Sequence, residues 1–271
     1  MASRVTFAVV GHNEAATLPM ALGSAIEAAE PGDHVWFVDS ASDDGSAEIA
    51  CSHGITVIPA PLGKGRAMAT ALTRCEDDLI CFFDADMLET ELNIPRRLRE
   101  VAVATNVDML VGDYDEPDRR RSVTPAIYRP LVGALFPEVL AEDIIVPLGG
   151  FRVLRTSMTL GSLPEGYGVE TYLNIQVALS GGRIASCPVG WFRGNLRDYA
   201  NIPRIASDVA ATVLDVAEQH GRLDPAMRAA WEDWVLEAVD LLGRQPPAGA
   251  DDAAYLDELA MVSARPVPVS R

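Results

Sequence analysis

The 271-residue sequence predicts an α/β protein: a mostly parallel sheet flanked by helices, with a helical extension at the C-terminus. Two observations carry that reading. Short apolar, β-branched runs alternate with helix-like stretches through the first half, the signature of βαβ units. After about residue 200 the strand-like runs stop and two amphipathic stripes take over.

The runs are "VTFAVV" (5–10), "HVWFVDS" (34–40), "TVIPA" (56–60), "LICFFDAD" (79–86) and "DMLVGDY" (108–114), each the length of a strand. "YRPLVGALFPEVL" (128–140) reads as helical, and a Gly-Gly turn leads into a strand, "FRVLRTS" (151–157). In "PEGYGVETYLNIQVAL" (164–179) a glycine-rich turn opens a helix, and "RIASCPVG" (183–190) comes next as another strand. Ile202, Ile205, Val209, Val213 and Val216 form one helical stripe, and Trp231, Trp234, Val235, Ala238 and Leu242 a second. Both read as packing surfaces. From about Gln245 the Pro, Ala, Gly and Asp content rises, so residues 246–271 are expected to be a flexible tail.

Composition narrows the function. With 49% hydrophobic residues the chain fills a sizeable core, and no apolar stretch reaches the length of a membrane span. "MASRVTFAVVGHNE" runs straight into a strand without a secretory cleavage site, which leads us to expect a cytoplasmic protein. A net charge of -17 argues against nucleic acid or an anionic membrane as partner. Cys51, Cys75, Cys81 and Cys187 stand far apart, so they read as reduced, mostly buried thiols without a function.

The segments directly after the strands are more telling: "GHNEAATL", "DSASDDGS", "PLGKGRA" and "DADM". In a parallel sheet these loops share the carboxyl edge, where ligands bind. Singly, each is also an ordinary cap or turn. Asp84 and Asp86, one residue apart, repel each other unless a cation lies between them. Hard carboxylate oxygens suit Mg²⁺ or Mn²⁺, which would bridge a diphosphate and neutralise charge appearing on it.

In order and spacing, "VVGHNEAATL", "VDSASDDGS", "GKGRAM" and "FFDADM" resemble the GT-A fold nucleotide-sugar glycosyltransferases, the last as their DxD motif. "VTPAIYRPLVGALFPEVL", "PLGG" and "GYGVE" are similar to the retaining glucosyl-3-phosphoglycerate synthases, carrying the resemblance to about Asp198. It implies a GT-A (Rossmann-like) catalytic domain over 1–200, with the donor site mainly in 1–115 and the acceptor region mainly in 116–200, then a helical extension over 201–245. Val10 and Glu14 would lie near the nucleobase, Asp39 and Ser40 at base and ribose, and Lys64 along the nucleotide. Asp84 would serve the ribose or metal, Ala85 the bound donor, and Asp86 the metal directly. Glu170 and Tyr167 would lie near the transferred sugar and the acceptor, with Arg121, Thr124, Gly149, Gly150, Asn195 and Arg197 completing the substrate side. The residues alone leave blander readings open: Asp39 as a helix cap, Lys64 as a solvated loop lysine, Glu170 as a first-turn acid favoured by the helix dipole.

Two departures from the family stand out. Its late histidine metal ligand is missing from "PVGWFRGNLRD", since the histidines are His12, His34, His53 and His220; either Asn195 or water would complete the ion's shell, or metal binding would be weaker. Where the family carries an arginine for the acceptor's phosphate the chain has Ser122, preceded by Arg119, Arg120 and Arg121, which supply either an anion clamp or a solvated basic loop. The acceptor is therefore not copied from the family.

The expected activity is transfer of a sugar from a nucleotide-diphosphate sugar, of the UDP-glucose or GDP-sugar kind, to a small soluble polar or anionic acceptor, with a metal ion and with retention. The expected partners are these small molecules, without nucleic acid or membrane, and admitting a homodimer. Two alternatives stay open: a nucleotidyltransferase making a nucleotide sugar, and a catalytically inactive nucleotide-sugar-binding protein. Against the first, "VVGHNEAAT" lacks the glycine-rich, basic loop of such enzymes.

Overall fold

A computed structural model describes residues 3–115, 122–141, 144–194, 201–246 and 252–268. β1 (Val5–Gly11), β2 (His34–Ser40), β3 (Thr56–Ala60) and β4 (Leu79–Asp84) pair in parallel in the order β3-β2-β1-β4. α1 (Leu18–Ala28), α2 (Ser46–Ser52) and α3 (Lys64–Arg74) make the crossovers. The chain winds from β1 towards β3 and then returns to place β4 on the other side of β1. That reversal opens a crevice beyond the paired ends Val10 and Asp84.

Strand alternation feeds a core on each face. Phe7, Val9, Cys81 and Phe83 point towards α1, α2 and α4 (Ile94–Ala104), while Ala8, Val10, Ile80 and Phe82 point towards α3 and α6 (Val169–Leu179). Such two-sided burial is why these strands read as nearly continuous apolar runs.

Beyond β4 the sheet continues with β7 (Arg152–Arg155), β6 (Met109–Asp115), β8 (Ile184–Gly194) and β5 (Met87–Thr90). β7 is antiparallel to both β4 and β6. Its beginning therefore lies at the edge where the parallel strands end, and the loop that enters it, Pro147–Gly150, reaches the crevice.

Several elements differ from expectation. β5, too short to show a periodicity, forms because β8 runs on to Gly194, past the expected end at Gly190, and pairs with it antiparallel. The stretch expected as one helix over 128–140 divides into a π-helical turn (Thr124–Tyr128), α5 (Arg129–Leu135) and a 3-10 turn (Pro137–Ala141). Pro130 and Pro137 have no N–H to continue a single ladder.

α7 (Ile202–Gln219) and α8 (Arg228–Gly243) carry the two expected stripes, and the flexible tail is corrected by α9 (Ala253–Ser263). Tyr255 and Leu259, one turn apart, are buried in a cluster with the π-helical turn, α5, α7 and α8, which holds the helix in place. Arg265 stacks on Trp234 at 4.6 Å and the Trp234 indole N–H donates to the Pro266 carbonyl at 3.0 Å, so the segment after α9 is tied to α8. Cys81 and Cys187 are buried, Cys75 is half-buried and Cys51 exposed, and all four are free thiols. Among the described residues no helix is long and apolar enough to cross a membrane.

Candidate active site

A lysine in the first turn of a helix meets the positive end of the helix dipole, so its position needs offsetting charge. Lys64 opens α3 and has it on two sides. Its Nζ lies 3.0 Å from each oxygen of Asp84, at the tip of β4, and 2.6 Å from Glu170 Oε1, in the first turn of α6. Burial works against the ammonium, yet the two carboxylates outweigh it and raise its pKa well above the ordinary lysine value. Lys64 is thus not a solvated loop lysine, and Glu170, 3% exposed, is not a solvated helix acid.

Glycines make this convergence sterically feasible. Gly63 has φ +133°, and a Cβ there would lie 2.6 Å from the Glu165 carbonyl oxygen. A Cβ on Gly65 would overlap the Pro164 carbonyl oxygen. The turn before α3 thereby lies flat against the turn before α6, and the Arg66 amide donates to the Glu165 carbonyl at 3.2 Å. Gly150 is needed for the same reason, because a methyl there would occupy the space of the Asp84 carboxylate.

Lysine, strand-tip aspartate, glycine pair and helix acid, expected from four separate stretches, are therefore adjacent. Asp86 stands two residues after Asp84 and is half-buried. Val10 is buried, its carbonyl accepting the Ala85 N–H at 2.9 Å. Glu14 is buried and accepts the Thr17 hydroxyl at 2.9 Å. Asp39 accepts the Ser42 N–H at 3.0 Å, an ordinary turn bond, and is half-buried. The Ser40 hydroxyl accepts the Gly63 N–H at 2.9 Å, which ties the end of β2 to the turn carrying Lys64. Tyr167 is half-buried, with the Arg204 guanidinium 5.8 Å from its ring centre. Thr124 is buried at the start of the π-helical turn, and no hydrogen bond or ion pair among the described residues joins it to Lys64, Asp84 or Glu170. Arg119, Arg120, Arg121, Asn195 and Arg197 lie outside the described residues. Ser122 is 2% exposed and its hydroxyl donates to the Gln245 side chain.

Three residues that sequence reasoning missed support the site. Asp113, in β6, accepts the Ile145 and Val146 amides at 3.0 and 2.9 Å and fixes the approach to Pro147–Gly150. Asp208, in α7, accepts the Tyr167 amide at 3.0 Å and holds the turn ahead of Glu170. Arg152, at the start of β7, is fully buried. An acid within the apolar strand, for Asp113, and an arginine two residues after "PLGG", for Arg152, were the signals. Asp208→Ala is expected to cost about 1–2 kcal/mol, read by urea denaturation, with faster hydrogen exchange at the Tyr167 amide. Unchanged exchange would mean that the turn stands without Asp208.

Among the described residues no group of three or more His, Cys, Asp and Glu side chains could hold a metal ion. Mg²⁺ and Mn²⁺ do not need one, since they are commonly bound by one or two carboxylates with substrate phosphates and water filling the shell. The acids at and just after the tip of β4 fit an ion bound together with a diphosphate.

Known proteins resemble this chain in sequence and in fold. The glucosyl-3-phosphoglycerate synthase of Mycolicibacterium smegmatis is 26% identical over 222 residues, covering 71% of this chain and 72% of that protein. The crystal structure of mannosyl-3-phosphoglycerate synthase from Rubrobacter xylanophilus superimposes with a TM-score of 0.73 at 26% identity, covering 82% of this chain and 76% of that one. Glucosyl-3-phosphoglycerate synthase from Mycobacterium tuberculosis, in complex with Mn²⁺, UDP and phosphoglyceric acid, gives 0.70 at 25% identity, covering 79% and 78%. The fold is that of the GT-A glycosyltransferases. The family model for glycosyl transferase family 2 matches residues 6–158, the stretch that builds β1 to β7 and brings Lys64, Asp84 and Gly150 together. By that match the chain is a glycosyltransferase and belongs to glycosyl transferase family 2.

Proposed function

We propose that this enzyme transfers glucose from UDP-glucose, or a hexose from a related nucleoside-diphosphate sugar, to a small anionic acceptor with retention of configuration. The observation that carries the reading is the Lys64 ammonium between Asp84 and Glu170 at the carboxyl edge of the sheet. Val10, Glu14 and Asp39 surround the base and ribose, and Lys64 meets the diphosphate. Asp86 and Asp84 hold Mg²⁺ or Mn²⁺, which when bound neutralises charge on the leaving diphosphate. Gly149, Gly150, Tyr167 and Glu170 line the sugar and acceptor. The names of the relatives, and the UDP, Mn²⁺ and phosphoglyceric acid in one of their structures, support this choice of donor, ion and acceptor class. With the Ser122 hydroxyl donating to Gln245, the proposed clamp for the acceptor's anionic group is Arg119, Arg120 and Arg121, and Thr124, Asn195 and Arg197 are its further candidate contacts. The enzyme acts on soluble substrates in the cytoplasm, and a homodimer is included in the proposal, to be tested by light scattering.

A thermal-shift screen of UDP- and GDP-sugars with Mn²⁺ tests the donor, since ligand stabilisation reports affinity. UDP release with 3-phosphoglycerate and other small acids then tests the acceptor, and the anomeric proton signal of the product tests retention. Pyrophosphate formed from a nucleoside triphosphate and a sugar phosphate would instead identify a nucleotidyltransferase. Donor binding without turnover across the panel would identify a binding protein. Asp86→Ala is expected to reduce transfer by at least about 100-fold while the variant still melts cooperatively; undiminished turnover would remove Asp86 from the metal site.

A further inference from the structure

A guanidinium at the head of a sheet strand, wholly out of solvent, loses several kcal/mol of hydration, and an apolar side chain of the same volume avoids that loss. Arg152 is such a group: it is 0% exposed, and burial lowers its pKa even though Glu170 and Asp84 favour its charge. No carboxylate ion-pairs with it among the described residues. Its fork donates instead to two segments that both end in the site. One is the loop entering β7, through the carbonyls of Gly149 at 2.7 Å and Pro147 at 3.3 Å. The other is α6, through the Glu170 carbonyl at 3.4 Å and Asn174 Oδ1 at 3.3 Å. Asn174 repeats the link, its amide donating to the Pro147 carbonyl at 2.9 Å and to the Tyr128 hydroxyl at 3.0 Å. Burial raises the pKa of that hydroxyl to about 12, so it stays neutral.

In front of this network, Gly150 packs on the Asp84 carboxylate, and Glu170 faces Lys64. The spacing between the glycine pair and the helix acid is therefore set from behind by one planar, five-donor group. We propose that Arg152 is a positioning residue for the transfer step, acting through Glu170 and Gly149–Gly150, which it holds in register across the reacting sugar. The proposal rests on the reading of Glu170 and the glycine pair as the sugar side of the site.

The test is a double-mutant cycle of Arg152→Met and Glu170→Gln, monitored by UDP release from UDP-glucose in Mn²⁺ with 3-phosphoglycerate or with water alone. UDP affinity and melting are measured in parallel. Arg152→Met is expected to lower kcat by about thirtyfold or more, the scale of a misplaced reacting group, with UDP affinity within about threefold of native and a cooperative melt. Arg152→Lys, which keeps the charge but cannot fork, should recover part of kcat. The double variant should lose no more than the worse single variant, because the two act as one unit. Multiplying losses, or a fall in UDP affinity that matches the fall in kcat, would reduce Arg152 to a structural role and overturn the proposal. If Glu170→Gln is impaired while Arg152→Met turns over as native, only this proposal fails. If Glu170→Gln turns over as native, the reading of the site fails with it. Should Arg152→Met not melt cooperatively, Asn174→Leu takes its place in the cycle with the same expectations.

Discussion

Lys64→Met is expected to abolish transfer and to destabilise the protein at the same time. The substitution leaves the buried Glu170 carboxylate facing the Asp84 carboxylate with no cation between them. Removing one partner of a buried pair costs roughly 3–5 kcal/mol, and the lower end applies here because the Asp84 side chain is 33% exposed. Donor turnover should fall by at least about 100-fold, since the ammonium is also the proposed contact to the diphosphate. Combining Lys64→Met with Glu170→Gln should restore much of the stability and none of the turnover, which urea denaturation and UDP release would show. Full turnover in Lys64→Met would refute the proposed site.

The pH dependence of this pair has a definite sign. A lysine pKa raised by folding contributes stability that is fully present below the unfolded-state value, about 10.4, and is lost as pH rises through the folded value. The stability that Lys64 contributes through its raised pKa should therefore be flat through neutral pH and be lost in strongly alkaline solution.

Gly65→Ala is expected to show the largest effect of any alanine at a glycine. Its methyl meets main-chain atoms, the Pro164 carbonyl oxygen, the Pro164 carbonyl carbon at 2.9 Å and the Glu165 carbonyl carbon at 3.1 Å, so no side chain can swing aside. Overpacking of this kind costs about 1–3 kcal/mol or more, and separating the two turns also moves Lys64 away from Glu170. Gly23→Ala is the matched control. Gly23 lies inside α1 with nothing within 4 Å of an added Cβ, so alanine there should raise stability by about 0.5–1 kcal/mol without altering turnover. Equal effects at the two positions would show that helix propensity, and not the meeting of the turns, decides the outcome.

The parts of the fold legible in the sequence are those set by physics that acts locally. β1 and β4 are buried on both faces, so each is a nearly unbroken apolar run whose ends are marked by turn residues. β5 and the extension of β8 exist because each supplies the other's hydrogen bonds, and neither carries a strand pattern alone. α9 was obscured because Pro, Ala, Gly and Asp before it and Pro after it set the local composition, while the Tyr255 and Leu259 spacing that buries it involves only two residues.

The same distinction runs through the site. Asp84 was legible because an Asp-x-Asp pair at a strand tip asks for a cation, whereas Lys64 and Glu170 came from the resemblance of "GKGRAM" and "GYGVE" to the family's motifs. Arg152, Asp113 and Asp208 were not, because their chemistry is directed at main-chain amides and carbonyls whose neighbourhood is created only by the sheet and the helices around it.

The antiparallel placement of β7 has a consequence for biosynthesis. β4 finds its second neighbour in residues made long after it, Phe82 pairing with Arg152, so the nascent protein emerges from the ribosome with the apolar edge of β4 bare. Bare apolar edges recruit other chains. Translation stalled before Arg155 should therefore yield an aggregation-prone fragment that depends on chaperones, even though the first four strands have already been synthesised.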